Sequence, residues 1–131
     1  MAYLLDTNMV SDLVRNPQGV VAERIKAVGE TEVATSIIVT AELRFGATKR
    51  GSKRLTTQLE AVLRVLAVLP LEAPADAVYG RVRARIEREG RPMGANDLLI
   101  ASHAISGGYT LVTDDRDFDR IPDLAVENWL R

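Results

Sequence analysis

The sequence predicts an α/β fold, with a central parallel β-sheet and helices on both of its faces. Short apolar runs, such as Tyr3-Leu4-Leu5 and Leu111-Val112, alternate with longer segments whose apolar residues recur at helical spacing. Strands separated by helices pair in parallel, and the connecting helices then cover both faces of the sheet. A length of 131 residues suits one domain with a substantial core, so we expect a single unit spanning residues 1–131.

The first half of the chain contains signals for three strands and four helices. Asn8 can cap the first helix, which Asn16-Pro17 ends, and Gly51 ends the third helix. Val65 to Leu69 fits either the end of the fourth helix or a strand, and we favour a strand for its last residues. The predicted elements are strand 2–6, helices 8–15 and 18–28, strand 32–36, helix 38–50, a helix from 52 and a strand ending at 69.

The second half contains signals for two helices and two strands. Gly90 stops the first of these helices. Asn96 can cap the second helix, which ends at Gly107-Gly108. Two apolar runs then complete the predicted sheet. The predicted elements are helices 76–89 and 97–106 and strands 110–113 and 124–127.

Composition excludes several kinds of chemistry. The chain has no cysteine, and its one histidine, His103, cannot supply a multi-histidine metal site. We expect His103 to be structural or exposed, on a polar side of its helix. The longest uncharged apolar run, Val65 to Leu71, is too short to span a bilayer, and the chain starts without a basic leader, so we expect a cytoplasmic protein without a membrane segment. Oxygen chemistry remains, in which carboxylates suit Mg²⁺ or Mn²⁺.

Four acidic positions occur where an uncharged residue would cost less free energy. Asp6 follows the first predicted strand, Asp115 follows the fourth, and Asp97 lies in the first turn of the last helix. Glu42 falls inside an apolar stripe of the helix 38–50. That stripe consists of Ile38, Ala41 and Phe45. Buried carboxylates are costly unless they meet a cation or many donors. Because ligands bind beyond the carboxyl ends of parallel strands, we expect the four acids to share one site there.

Basic residues form two runs although the net charge is only −1. Five of the 17 Lys and Arg residues lie in 44–54, and five more lie in 81–91. Taken alone, both runs fit solvated helix faces. Beside an acidic site, they also fit the binding of a polyanion at its phosphates. The residues expected to contact the phosphates of such a polyanion from one face of their helix are Arg81, Arg85 and Arg88.

Four segments combine an acid with characteristic neighbours and occur in a fixed order. They are Asp6-Thr7-Asn8, Thr40 to Ala47 (TAELRFGA), Gly94 to Ala101 (GANDLLIA) and Leu111 to Phe118 (LVTDDRDF). These segments resemble, in order, the four motifs of PIN-domain nucleases, particularly the VapC toxins of bacterial toxin–antitoxin pairs. The ending Val126-Glu127-Asn128-Trp129 also resembles that family. Each motif alone is weak, whereas four in order over nearly the whole chain are specific.

The resemblance implies a Mg²⁺- or Mn²⁺-dependent endoribonuclease that is the toxin of a toxin–antitoxin pair. It implies an RNA substrate (tRNA or another structured RNA), a homodimer and inhibition by a VapB-like antitoxin. One and two metal ions are both compatible with the motifs. The residues expected to be catalytic are Asp6, Glu42, Asp97 and Asp115, and those expected to bind the metal, directly or through water, are Asp6, Asp97 and Asp115.

The remaining roles also come from the motifs. Glu42 would complete the site or orient the attacking water. The family pattern of threonine, any residue, then an acid favours Asp115 as the fourth acid. Thr7 and Asn8 are expected to support the site, although a role in the turn and the helix cap explains them equally well. Asp117 is expected to be a supporting or alternative ligand. Asp114 is expected to face solvent.

The alternative function is a catalytically silent PIN-like module that binds RNA or protein, and the retention of every acidic position counts against it. For the antitoxin, residues 38–69 carry more apolar surface than one sheet face needs. We expect part of them to form a groove for an apolar antitoxin segment near a homodimer seam. An inserted Arg or Lys could neutralise the carboxylates. The apolar residues concerned include Leu55, Leu59, Leu63 and Leu66.

Overall fold

The computed structural model describes residues 1–130 and confirms the predicted α/β fold class. Its strands are β1 (Tyr3–Leu5), β2 (Val33–Ser36), β3 (Ala67–Leu69), β4 (Thr110–Val112) and β5 (Val126–Glu127). Its helices are α1 (Thr7–Arg15), α2 (Val20–Val28), α3 (Ile37–Arg50), α4 (Lys53–Val65), α5 (Ala75–Arg88) and α6 (Ala95–Gly107), with 3₁₀ helices at Glu30–Glu32 and Arg116–Arg120. Every helix within residues 1–130 is too short or too polar to cross a bilayer.

The sheet places the ends of β1 and β4 side by side. All five strands are parallel, in the order β3-β2-β1-β4-β5. The chain builds β2 and β3 on one side of β1 and then returns to the other side for β4 and β5. Such a reversal of strand order opens a crevice at the carboxyl ends of the two strands where it occurs. The crevice lies between the segment that follows Leu5 and the segment that follows Val112.

The core fills the space between the sheet and the helices. Leu4, Leu5, Leu111 and Val112 are fully buried in the central strands. Burial of each such side chain stabilises the fold by roughly 1.5–3 kcal/mol. Trp129 is also fully buried, and its indole ring lies 5.1 Å from the ring of Tyr3. The rigid floor of the crevice is therefore made by the most deeply buried strands of the protein.

Two predicted helix caps are wrong. Asp6, rather than Asn8, caps α1, since the Met9 N–H donates to Asp6 Oδ1 at 3.0 Å. Helix α6 begins at Ala95 with Gly94 as its cap residue, so Asn96 lies inside the first turn and caps nothing. Both errors have one cause, because a helix begins where backbone hydrogen bonding begins, and several nearby residues have cap-forming side chains.

The buried face of α3 also differs from the predicted stripe. Ala41 is exposed, and Phe45 is 66% exposed. The residues that face the core are instead Val39, Thr40 and Ala47. The predicted stripe and the true buried face are both compatible with helical spacing. Periodicity alone therefore predicted the wrong buried face of α3. Phe45 is consequently a large apolar side chain at the surface.

Other element boundaries shift by one to a few residues. The strand expected over 32–36 begins at Val33, because a 3₁₀ helix occupies the preceding residues. The segment 65–69 divides as favoured, with α4 ending at Val65 and β3 starting at Ala67. Every other predicted helix and strand is present, and each differs from its predicted bounds by one or two residues at one or both ends.

Candidate active site

Asp6 is fixed at the crevice by three hydrogen bonds. Its backbone N–H donates to the Val112 carbonyl at 3.0 Å, and its carbonyl accepts from the Val10 N–H at 3.1 Å. Its carboxylate accepts from the Met9 N–H at 3.0 Å, and the side chain of Thr113 acts on the same carboxylate and lowers its pKa. The residue is only 5% exposed. The first predicted acid is therefore a buried carboxylate that joins β1, α1 and the end of β4.

The pKa values of Asp6 and Asp97 are both raised. Burial raises the pKa of Asp6 to about 6, against the opposing effects of Thr113 and Met9, with small contributions from Asp114 and Asp97. Burial also raises the pKa of Asp97, helped by the negative charges of Asp115, Glu42 and Asp117. Like charges disfavour each other's ionised forms, and a bound cation reverses that preference. The structure thus gathers carboxylates that repel one another.

Glu42 reaches the site from α3. Its Oε1 accepts a hydrogen bond from Thr7 Oγ1 at 2.9 Å, which ties α3 to the first turn of α1. Glu42 is half-buried, and its charge acts on Asp97. The reason given for its burial from the sequence was wrong, because Ala41 and Phe45 face outward. The predicted location at the crevice is nevertheless the observed one.

The segment after β4 contributes one half-buried acid, Asp115, and two exposed acids, Asp114 and Asp117. Asp115 caps the 3₁₀ helix, since its Oδ1 accepts from the Asp117 N–H at 2.9 Å. The Asp115 N–H itself donates to Thr113 Oγ1 at 3.0 Å. Asp114 is exposed, as predicted, and its Oδ1 accepts from Asn8 Nδ2 at 3.1 Å. Of this segment, Asp115 has the larger effect on Asp97 and Asp117 the smaller.

The side chains of the site have the right chemistry for a hard divalent cation, but they are not arranged as a coordination shell. Every acid of the site presents carboxylate oxygens, the ligands that Mg²⁺ and Mn²⁺ prefer. Among residues 1–130, no salt bridge neutralises any of these acids. No three acidic or histidine side chains of the same residues form a ready-made coordination shell. The residues expected to hold an ion are Asp6, Asp97 and Asp115.

The predicted arginine trio does share one face of α5. Arg81, Arg85 and Arg88 are exposed and line a groove of about 220 Å³. Arg83 lies on another side, where it is paired with Glu87 at 2.6 Å and with the Tyr79 hydroxyl. The trio does not belong to the acidic crevice itself.

A family model for the PIN domain matches residues 3–124. The chain belongs to the PIN-domain family. It is 38% identical to a protein of Rickettsia felis named ribonuclease VapC2, over 98% of both chains. It is 33% identical to a protein of Shigella flexneri named tRNA(fMet)-specific endonuclease VapC, again over 98% of both chains. These identities over whole chains place this PIN domain beside the VapC proteins.

Solved structures agree with the sequence comparison. The VapBC2 complex of Rickettsia felis, bound to a DNA fragment from its promoter, contains a chain with a TM-score of 0.88 and 36% identity to this PIN domain, covering 98% of this chain and 99% of that one. A DNA-bound VapBC complex of Salmonella typhimurium gives a TM-score of 0.88 at 33% identity, covering 98% of both chains. The PIN-domain fold therefore extends over nearly the whole chain.

Two features of this PIN domain escaped sequence reasoning. The side chain of Thr113 acts on the Asp6 carboxylate and accepts from the Asp115 N–H, so one hydroxyl interacts with two acidic residues of the site. His103 is 6% exposed, contrary to the predicted polar position, and its Nδ1 lies 2.8 Å from Ser36 Oγ. Burial lowers the pKa of His103 and favours the neutral ring. Only the threonine of the fourth motif offered any signal, because Ser36 and His103 lie 67 residues apart.

Proposed function

We propose that this PIN domain is a metal-dependent endoribonuclease and the toxin of a toxin–antitoxin pair. The observation that supports it most is the gathering of unneutralised carboxylates at the crevice, where burial and mutual repulsion raise the pKa values of Asp6 and Asp97. Similarity to proteins named ribonuclease VapC supports RNA as the substrate class. Mg²⁺ or Mn²⁺ is the proposed cofactor because the donors are carboxylate oxygens.

The residues divide the work of hydrolysing a phosphodiester. A bound divalent ion would lower the pKa of a water molecule and neutralise charge on the phosphoryl oxygens. Asp6, Asp97 and Asp115 would hold that ion. Glu42 would orient the attacking water, and Thr7 would hold the Glu42 carboxylate through its 2.9 Å hydrogen bond. Attack by water gives a 5′-phosphate and a 3′-hydroxyl, and it does not require the 2′-hydroxyl of the RNA.

Cleavage in the presence and absence of metal tests the enzymatic part. Purified protein freed of any antitoxin should cut RNA in Mg²⁺ or Mn²⁺ and should stop cutting in EDTA. Asp97→Asn should be inactive, whereas Asp76→Asn should cut normally because Asp76 is the matching first-turn acid of α5. Cutting that continues undiminished in EDTA would contradict the metal mechanism.

The absence of a ready-made coordination shell among residues 1–130 favours a second candidate, a catalytically silent module that binds RNA or protein. The same assay separates the two. A silent module would bind RNA and leave it intact under every metal condition. Cutting by the wild type, lost in the Asp97→Asn protein, would exclude this candidate.

The proposed inhibitor is a VapB-like antitoxin that binds beside the crevice. Solved relatives occur in VapBC complexes. A groove of about 190 Å³ runs between α1, α3 and α4, with Glu42 in its wall and Leu43 and Leu55 as apolar lining. Of the leucines expected at a groove, Leu59 also lines this one although it is 3% exposed, whereas Leu66 is buried elsewhere in the protein. An apolar antitoxin segment would fill this groove, and a basic side chain from it would neutralise the acids.

Expression in cells tests the toxin assignment separately from the nuclease assignment. Expression alone should arrest growth, and co-expression with the neighbouring small gene should restore growth and yield a complex that co-purifies. Light scattering on the purified protein should show the proposed homodimer. Harmless expression of an active nuclease without a recovered partner would contradict the toxin role and leave the nuclease role in place.

A further inference from the structure

The groove beside α5 contains four guanidinium groups around an apolar floor. Its floor includes Val82 and Ile86 of α5 and Ile121, all of them buried. Its opposite wall is the segment from Arg120 to Asp123. We call this surface the arginine groove. The arginines that line it are Arg81, Arg85, Arg88 and Arg120.

Arg120 is held in place, unlike the three arginines of α5. Its side chain is 15% exposed, donates to the Arg91 carbonyl and lies 3.7 Å from Glu89 Oε1. Glu89 is also 3.9 Å from Arg85, so a single carboxylate serves two guanidinium groups. Asp123 is the other acid at the groove. Four arginines against two acids leave an excess of positive charge that favours an anion.

On the opposite side of α5, by contrast, an arginine has hydrogen-bond partners within the protein. Arg83 has both a carboxylate and a phenol hydroxyl as partners. Arg81 and Arg88 form no salt bridge with any residue in 1–130. Two of the three α5 arginines at the groove, Arg81 and Arg88, therefore have no carboxylate partner among these residues and can bind an external anion, whereas Arg85 shares Glu89 with Arg120.

The arginine groove is connected to the acidic crevice through a rigid segment. The 3₁₀ helix has Asp115 as its cap residue at one end and Arg120 at the other. Five residues of 3₁₀ helix, at about 2 Å each, span on the order of 10 Å. The α5 side of the groove is connected to the acidic crevice as well, since the chain continues from α5 through Arg91 to Asp97 within a few residues. An RNA strand with its scissile phosphate at the crevice can thus reach the groove with a nearby phosphate.

We propose that the arginine groove binds a backbone phosphate close to the scissile one, with Arg120 as a fixed donor and Arg81, Arg85 and Arg88 as mobile donors. This inference rests on the proposed ribonuclease function and adds a subsite to it. A guanidinium group donates two parallel hydrogen bonds to a phosphate, which a single fixed arginine can orient. The groove would then determine where along the strand the cut falls.

RNA binding by a cleavage-deficient protein tests the groove without relying on catalysis. In the Asp97→Asn background, affinity for a single-stranded RNA is measured over a range of salt concentrations. Each phosphate contact contributes about 0.7 to the slope of log affinity against log salt for single strands. Replacing Arg81, Arg85 and Arg88 together by Gln should therefore reduce the slope by up to about 0.7, the contribution of one phosphate. The control is Arg83→Gln, which should leave it unchanged.

Cleavage of substrates of two lengths provides the second measurement. A dinucleotide contains only the scissile phosphate, whereas a longer oligonucleotide also presents the neighbouring ones. Arg120→Gln and the triple variant should each raise KM for the oligonucleotide about tenfold, the loss of roughly 1.4 kcal/mol of binding, and leave dinucleotide cleavage unchanged. The triple variant covers the case in which Arg120→Gln loosens the 3₁₀ helix.

The outcomes separate this inference from the proposed function. If the wild type cuts no RNA, the proposed function itself fails. If the wild type cuts RNA while the triple variant and Arg83→Gln have equal slopes, the groove is not a phosphate subsite. A triple variant that changes oligomeric state by light scattering, with an unchanged slope, would show that the groove is a surface between two copies of the chain.

Discussion

The segments that follow β1 and β4 both contain an aspartate that caps the next helix, but the two aspartates differ in burial. Asp6 and Asp115 each follow an inner strand, and each caps the helix that comes next. Asp6 comes directly after its strand and is almost fully buried, whereas Thr113 and Asp114 separate Asp115 from β4 and leave it half-buried. Burial raises the pKa of Asp6 to about 6. Two residues of chain thus decide which acid bears the larger electrostatic cost, and a cation would relieve that cost most at Asp6.

The largest expected effect tests Asp6 and Asp97, the two acids whose pKa values are raised. Asp6→Asn and Asp97→Asn should each lower kcat/KM by more than about 100-fold, since losing a residue that only hydrogen-bonds to a metal ligand already costs about 10- to 100-fold. Asparagine is also a good N-cap, so Asp6→Asn should fold normally. Steady-state cleavage and a thermal melt of the same samples measure both. Near-wild-type turnover in a folded Asp97→Asn protein would show that Asp97 only stabilises the N-terminus of α6.

The next effect is the pH dependence of stability, measured in metal-free protein. A pKa raised from the ordinary 3.8 to about 6 means that folding stability is full below pH 3.8 and falls as pH rises through 6. The difference corresponds to roughly 3 kcal/mol at neutral pH. Asp6→Asn removes this loss, so urea unfolding should show the variant more stable than the wild type at pH 8 and not at pH 4. Equal stability at pH 8 would contradict the burial of an ionised Asp6.

A smaller effect distinguishes the acids after β4. Asp115→Asn should lower kcat/KM by about 10- to 100-fold, and Asp117→Asn by less than about tenfold, because only Asp115 is proposed to bind the metal. An asparagine oxygen can still accept the Asp117 N–H, so the 3₁₀ helix should persist. Asp119→Asn, an acid of the same helix, serves as the control. If Asp117→Asn lowered kcat/KM more than Asp115→Asn, the fourth acid of the site would be Asp117.

The smallest expected effect concerns the bond between Thr7 and Glu42. Thr7→Val keeps the shape and removes the donor, and a bond of this kind contributes about 1 kcal/mol, or roughly a fivefold loss in kcat/KM. Thr7→Ser retains the hydroxyl and should behave like the wild type. Equal rates for valine and serine would show that Glu42 is oriented by its helix alone.

Local patterns predicted the features that depend on neighbours in sequence. The alternation of strands and helices and the position of Asp6 after an apolar run both follow from short segments, and the structure has both. The face of α3 could not be predicted in the same way. Ile38, Ala41 and Phe45 have helical spacing, but the choice of the buried face depends on α1 and α4, which pack against the side containing Ala47.

Contacts between distant residues were also beyond local patterns. The bond from Thr7 to Glu42 joins residues 35 apart, and the bond from Asn8 to Asp114 joins residues 106 apart. Nothing in either segment specifies the partner. The four motifs named the acids expected to share one site, because the resemblance contains long-range information that periodicity lacks. The arrangement of hydroxyls and amides that orients those acids came only from the structure.

The buried contact between His103 and Ser36 has a practical consequence for spectroscopy. Ser36 Oγ already accepts the Ile38 N–H at 3.1 Å, so the serine proton is free to point at the neutral imidazole. Since the chain has one histidine, its ring protons give a single unambiguous pair of nuclear resonances. Those resonances come from the point where α6, which contains Asp97, meets the start of α3, which contains Glu42. The protein therefore has a built-in signal for any shift between the two helices.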